Sequence, residues 1–207
     1  AGQMDIGTGG LGAMAVANPT AATARGRVAG TVTEDTSNLA LANQVVISLG
    51  GPNTSVETAT TTNAAGGYTL RGLANGTHWI GFLDPTGAHR AEFFPNSTDV
   101  SHATAVVTST GVTAAASASL AVQASTGTGA TITGTVTEAG SGAPLGGAMV
   151  VALNAADFRM ARVAIADPVG HYSLDLQPGN TFKLAFVDPT DRHAMEWHVN
   201  QPNTGLA

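Results

Sequence analysis

The sequence predicts an all-β protein of two tandem antiparallel β-sandwiches, the second without a final strand of its own. Three observations carry that expectation. Ala, Gly, Thr, Ser and Val dominate, while charged residues make up only 11% of the 207, a composition suited to short strands and turns. Runs such as RVAGTVTED, QVVISL, GYTLRGL and HWIGFLD alternate or stay apolar over a strand's length and stop at Gly, Asn, Asp or Pro. The chain also repeats itself: GTVTE occurs at Gly30 to Glu34 and at Gly134 to Glu138, a shift of 104. Without a gap, the same shift carries Leu41 to Leu145, Val46 to Val150, Gly66 to Gly170, Tyr68 to Tyr172, Leu70 to Leu174, Phe82 to Phe186 and the Asp-Pro-Thr at Asp84 to that at Asp188. Further on, His89 falls on His193, Glu92 on Glu196, Phe93 on Trp197 and Asn96 on Asn200.

Taken in chain order, residues 1–12 read as an isolated strand. Gly2 to Leu11 can be laid over Gly111 to Leu120, matching both ends. Residues 13–24, small and Pro-containing, read as a linker. Residues 25–122 are expected to form the first sandwich: strand, Gly/Pro turn, strand, variable segment, Gly-x-Tyr-x-Leu strand, apolar strand into Asp-Pro-Thr, aromatic strand, then closing strands from ATAVVTSTGVTAAASASLAV. Gly66 and Gly170 stand where a tight turn calls for positive φ. Tyr68 and Leu70 share parity, as do Tyr172 and Leu174, so each pair should face a core. After a linker at 123–130, residues 131–207 repeat the pattern and stop before any counterpart of the closing strands. Two small sheets face to face are the economical packing.

Asp5 to Val16, DIGTGGLGAMAV, offers a competing reading. Gly7, Gly9 and Gly12 fit the G-x-G-x-x-G spacing of a dinucleotide-binding turn, with Glu34 as the would-be ribose ligand. Such a turn must pass from a buried strand into a long helix. Met4-Asp5-Ile6 is short and charged, Pro19 interrupts the following stretch, and Glu138, the twin of Glu34, has no glycine fingerprint upstream. No cofactor is expected.

GTVTEAGSGAPLGGAMVVAL, GHYSLDLQPGNTFKLAFVDPT and their earlier counterparts resemble the carboxypeptidase regulatory-like repeats, a transthyretin (prealbumin)-like, Ig-like sandwich family of secreted bacterial proteins. The likeness covers roughly residues 25–122 and 130–207. It implies seven-stranded sandwiches, typically without catalysis, used as accessory, stalk or adhesive modules. His89 and His193 stand where members often carry Tyr.

A sandwich short of one strand exposes an apolar slot and unpaired backbone groups. The expected function is therefore that of an extracellular or cell-surface filament subunit. Its N-terminal strand, through Met4, Ile6, Thr8 and Leu11, would complete the second sandwich of a neighbour, so the partner is another copy of the chain. The alternative is a stalk or carbohydrate-binding adhesin module of a longer tandem array. Net charge −6 and the single lysine, Lys183, argue against nucleic acid. No apolar run reaches the length of a membrane helix. Lys183 faces Trp79 across the repeat, so a Lys–Asn isopeptide crosslink cannot recur in both modules. Asn53, Asn75 and Asn96 open N-x-S/T triplets, which lead to glycans only in a host that glycosylates.

Chemistry is weakly signalled. HRAE and HAMEWH hold H-x-x-E, but residues three apart on a strand face opposite ways, so His89 and Glu92 cannot chelate together. No metal is expected; His193, Met195 and His198 are the residues from which a copper or zinc site would be assembled. The Asp-Pro-Thr aspartates are expected to cap their own turns. Phe93, Phe94 and Trp197 are the candidate surface for stacking on sugar, with core packing as the other account. No nucleophile elbow is present, and no enzyme is expected.

Overall fold

The computed structural model describes residues 13–14, 25–50, 55–123, 129–190 and 192–198. Met4, Ile6, Thr8, Leu11 and Asn53 lie outside the described residues. The chain divides into two compact units, Pro19–Ala124 and Ser125–Ala207, the latter together with Ala1–Asn18. Both are built from strands.

The strands in chain order are β1 (Ala13–Met14), β2 (Gly26–Glu34), β3 (Val45–Gly50), β4 (Ser55–Thr61), β5 (Gly67–Leu73), β6 (Gly76–Leu83) and β7 (Glu92–Phe93). A 3-10 turn at Val100–His102 precedes β8 (Val106–Thr108), β9 (Thr113–Ala115) and β10 (Ala118–Leu120). The second unit follows with β11 (Ala130–Thr135), β12 (Thr137–Glu138), β13 (Met149–Asn154), β14 (Met160–Ile165), β15 (His171–Leu176), β16 (Phe182–Val187) and β17 (Glu196–Trp197).

In the first unit β2 lies between β5 and the β9/β10 edge, while β4, β3 and β6 form the opposing sheet, with β7 and β8 both on β6. The second unit repeats this: β11 pairs β15, and β14, β13, β16 and β17 lie in order. The core of each module is the same set of positions. Val28, Val32, Val46, Tyr68, Leu70, Ile80 and Phe82 fill the first; Val136, Val150, Tyr172, Leu174, Leu184 and Phe186 fill the second. Each tyrosine meets its phenylalanine edge to face at 5.9 Å, the geometry that ring quadrupoles favour.

The turn before the tyrosine strand needs glycine twice over. Gly66 has φ +71° and Gly170 φ +80°, and a Cβ at either would stand 2.4 Å from a carbonyl oxygen, that of Val32 or Val136. A second device also repeats: in Asp-Pro-Thr, Asp84 Oδ1 accepts the Thr86 amide and hydroxyl, both at 2.8 Å, and Asp188 accepts the same groups of Thr190 at 2.8 and 2.6 Å.

The antiparallel expectation holds for every pairing but the closing ones. β8 runs antiparallel to β6. The chain then turns through Gly111, φ +76°, crosses to the other sheet and lays β9 and β10 parallel to β2. A strand that arrives by crossing between sheets is not bound to reverse direction as a hairpin strand is.

Candidate strand-acceptor site

The first module shows what closure requires. β9 and β10 run along β2 in one register, Arg27 to Ala29 opposite Thr113 to Ala115 and Val32 to Glu34 opposite Ala118 to Leu120. Between them the Ala116 amide donates to the Ala29 carbonyl at 3.0 Å, and the Tyr68 hydroxyl donates to the Ala116 carbonyl at 2.5 Å. Ser117 Oγ accepts the Thr31 amide at 3.1 Å. The two backbones touch at Gly30, where a Cβ would fall 1.8 Å from the Ala116 oxygen. Only glycine allows that approach. Past Leu120, the Asp35 amide donates to the Leu120 carbonyl, Arg90 to that of Ala121 and Gln123 to that of Ala88, at 3.0, 2.8 and 2.7 Å.

In the second module the corresponding edge is β11 and β12. Among the described residues its only strand partner there is β1, which runs parallel to β12 with Ala13 opposite Thr137 and Met14 opposite Glu138. That is the register of β10 on β2: Met14 stands to Glu138 as Leu120 stands to Glu34. Ala13 and Met14 are thus paired strand, within the stretch that the sequence reading assigns to the linker. Their register is three residues away from the overlay that set Leu11 on Leu120. Gly- and Ala-rich segments specify register poorly, since few side chains differ between the two alignments.

The second module also carries an unanswered donor. Tyr172 is 4% exposed, and its hydroxyl has no hydrogen-bond partner among the described residues, whereas that of its twin Tyr68 is satisfied by the closing strand. Burial pushes the Tyr172 phenol up to about 12, so it stays protonated and remains a donor. Its oxygen would lie 2.6 Å from a Cβ at Gly134, and its ring carbons 2.8 Å. The ring edge thus covers the glycine whose twin, Gly30, is covered by backbone.

Beside each closing edge sits a histidine between two carboxylates. His89 Nδ1 lies 2.6 Å from Asp84 and Nε2 3.3 Å from Glu34; His193 bonds Asp188 at 2.7 Å and Glu138 at 3.2 Å. At His193, carboxylates on both ring nitrogens are an arrangement that imidazolium satisfies. The hydrogen bond to Asp188 first, and that to Glu138 after it, hold His193 above its ordinary 6.5 against burial. Burial alone would raise Asp84 and Asp188, but bonds from the threonine and histidine outweigh it and hold both below 3.8. Glu34 and Glu138 are lowered chiefly by the hydroxyls of Ser37 and Ser141, then by the histidines. The clamp ties the end of β2 or β12 to the Asp-Pro-Thr loop. Sequence reading saw both histidines but not their glutamates, 55 residues upstream; the repetition of Glu34 with His89 and of Glu138 with His193 was the available signal.

A third cluster is confined to the first module. His78, 2% exposed, donates from Nδ1 to Glu57 at 2.6 Å, and Ser48 Oγ donates to the same oxygen at 3.1 Å. Its Nε2 lies 2.9 Å from both the Ala74 carbonyl and Thr108 Oγ1. Thr108, His78 and Glu57 thus have the order of a catalytic triad. Thr108 Oγ1 donates its proton to the Ala74 carbonyl at 2.6 Å and is itself 2% exposed, so its hydroxyl is neither aimed at the imidazole as a nucleophile's would be nor open to a substrate. The positions of Ser48, Glu57 and His78 are Ala152, Ala161 and Phe182 in the second module.

The remaining sequence candidates are spread out. Phe93 and Trp197 are fully buried, and Phe94 packs partly buried against the first core, so none of the three stands out as an open stacking face. His193 is held in its clamp, and the His198 amide donates to the Leu184 carbonyl at 2.8 Å. Met195 is half-buried. Among the described residues no three His, Asp or Glu side chains are placed to hold a metal ion. Asn75 is exposed, as is Asn96, which has φ +65°. No helix among the described residues is long and apolar enough to cross a membrane.

Compared with protein-family models and with curated proteins, the chain matches none. Compared with solved structures, it is similar to the Bacillus anthracis TIE protein at 13% identity and TM-score 0.35, over 79% of this chain and 27% of that one. It therefore spans about a quarter of that protein's length. It is also similar to a Streptococcal ancillary pilin (9% identity, TM-score 0.35, 87% of this chain and 55% of that one). A third similarity is to the shaft pilin SpaA of Lactobacillus rhamnosus GG (11% identity, TM-score 0.32, 86% and 94%). Likenesses this loose carry no function from those proteins to this chain.

Proposed function

We propose that this protein is a non-enzymatic extracellular structural subunit, built of carboxypeptidase regulatory-like modules, that polymerises head to tail. The N-terminal strand of one copy completes the second sandwich of the next. The observation that carries this is the pairing of β1 with β12 in the register that β10 keeps on β2. The second module takes at its edge a strand that lies outside its own stretch of chain. A segment that pairs within one copy can pair equally with the next, and because donor and acceptor are different surfaces, the contact repeats without closing.

The test is deletion of residues 1–14, followed by electron microscopy and calorimetry. Fibres should vanish and the second module should melt earlier than the first. Fibres of unchanged length after the deletion overturn the proposal. So does a full-length chain that stays monomeric at every concentration while melting normally, the behaviour of a stalk completed in cis.

One observation favours a glycan-binding role alongside. A cleft on the first module is lined by Glu57, Asn75, Thr77, His78 and the half-buried Trp79, a ring with polar neighbours of the kind that takes sugars. Binding on a glycan array that Trp79→Ala abolishes would establish it; an array without hits removes it.

A further inference from the structure

Ala13 and Met14 set a register on β12, and the first module shows what such a register aligns further along the edge. A parallel ladder continued in that register would set residue 10 opposite Gly134 and residues 7–9 opposite Thr131 to Thr133. These are the places of Ala116 on Gly30 and of Thr113 to Ala115 on Arg27 to Ala29. Resting on the strand-donation reading, we infer that residues 7–10 of a second copy pair along β11 and that the Gly10 carbonyl accepts the Tyr172 hydroxyl. Tyr172 is thereby the residue that reads the register of the incoming strand.

Three independent features converge on it. The hydroxyl is buried, protonated and without an acceptor among the described residues, a costly state that an arriving acceptor would relieve. Its twin donates to the carbonyl at the equivalent position of the first module. Gly134, like Gly30, lacks the Cβ that would bar an approaching backbone, and what covers it is the end of the tyrosine ring, 2.6 to 2.8 Å from where a Cβ would be. A ring edge can swing aside; a backbone cannot. The occupant must bring an unhindered carbonyl, and residues 7–10, Gly-Thr-Gly-Gly, have no bulk beyond one threonine. A donor with a branched residue at position 10 would crowd Tyr172.

The chain has no cysteine, which makes disulfide trapping clean. Thr133 is exposed on β11, so Thr133→Cys in one copy is mixed with Gly9→Cys or with Ile6→Cys in another, both in full-length protein. Paired strands bring Cα atoms within bridging distance. Crosslinking between copies through Gly9→Cys, with none through Ile6→Cys, is the expected result. Crosslinking through Ile6→Cys alone keeps strand donation but overturns this register, since Thr133 faces position 6 only if Leu11 takes the place of Leu120. No crosslink from either, in samples that form fibres, overturns strand donation as well. As a second measurement, Tyr172→Phe keeps the ring on Phe186 and removes only the hydroxyl. The concentration needed for fibres should rise about tenfold, and an unchanged value overturns the hydroxyl contact.

Discussion

The two modules share one backbone and fill the same places differently. In the first, the edge of β2 is covered by the module's own β9 and β10, and the tyrosine hydroxyl, the glycine and the clamped histidine all have partners from that closing segment or beside it. In the second, the described cover is β1 alone, and the tyrosine hydroxyl has no acceptor. The opposing sheets differ in the other direction. The first buries Ser48, His78 and Thr108 and bonds Ser48 and His78 to the more exposed Glu57, where the second has Ala152, Ala161 and Phe182 at the positions of Ser48, Glu57 and His78, all in or against its apolar core. A repeat can therefore keep its fold while its two copies take different strands at the same edge and one of them accepts polar groups where the other is apolar.

The comparison can be sharpened by experiment. Phe82→Ala and Phe186→Ala remove the same ring from the two cores, and each should cost about 3–5 kcal/mol. In calorimetry each should lower its own transition; a shared shift would show that the modules melt as one. Next in size, Gly66→Ala and Gly170→Ala force a Cβ against a carbonyl at positive φ and should cost about 2 kcal/mol each. Near-equal penalties would confirm that closure does not touch this turn. Glu57→Ala alone leaves buried His78 and Ser48 without their acceptor and should cost about 1–3 kcal/mol. The triple change Ser48→Ala, Glu57→Ala and His78→Phe installs the second module's apolar filling and should recover most of that loss or better it. If the triple variant is the worse of the two, the polar cluster contributes more than packing can replace.

The smallest expected effect is on pH. His193 is held above 6.5 in the folded chain, so its contribution is complete below 6.5 and is lost as pH rises through the folded value. Asp188 is held below 3.8, so its contribution is present above 3.8 and is lost as pH falls through the folded value. The second module should be most stable between these limits, on the order of pH 4 to 6.5. His193→Gln should flatten the alkaline side of a melting-temperature profile and weaken the acid side only in part, since Thr190 still bonds Asp188; a profile unchanged above pH 6.5 would remove the clamp from the account of stability.

Much of the fold was legible because it is local and repeated. The 104-residue shift paired Gly66 with Gly170 and Tyr68 with Tyr172 before any coordinates, and short-range rules, positive φ for a turn and parity for a core face, did the rest. What was not legible depends on contacts far apart in the chain. Glu34 and His89 meet only because β2 and the Asp-Pro-Thr loop end at the same rim. The parallel sense of β9 and β10 follows from a crossing between sheets that no periodicity records. The overlay of the N-terminal segment missed the register of β1 by three because half of residues 5–16 are Gly or Ala, with little to tell one alignment from another. The aromatic strand read equally as surface or core, and Phe93 and Trp197 prove buried because strands of two residues such as β7 and β17 are too short to show alternation.

The parallel sense of β1 on β12 has a mechanical consequence. Tension drawn along such a ladder strains its hydrogen bonds all at once and not one after another, so rupture calls for a concerted failure. A joint of parallel strands resists steady pulling in proportion to the length of the paired stretch, without any covalent tie.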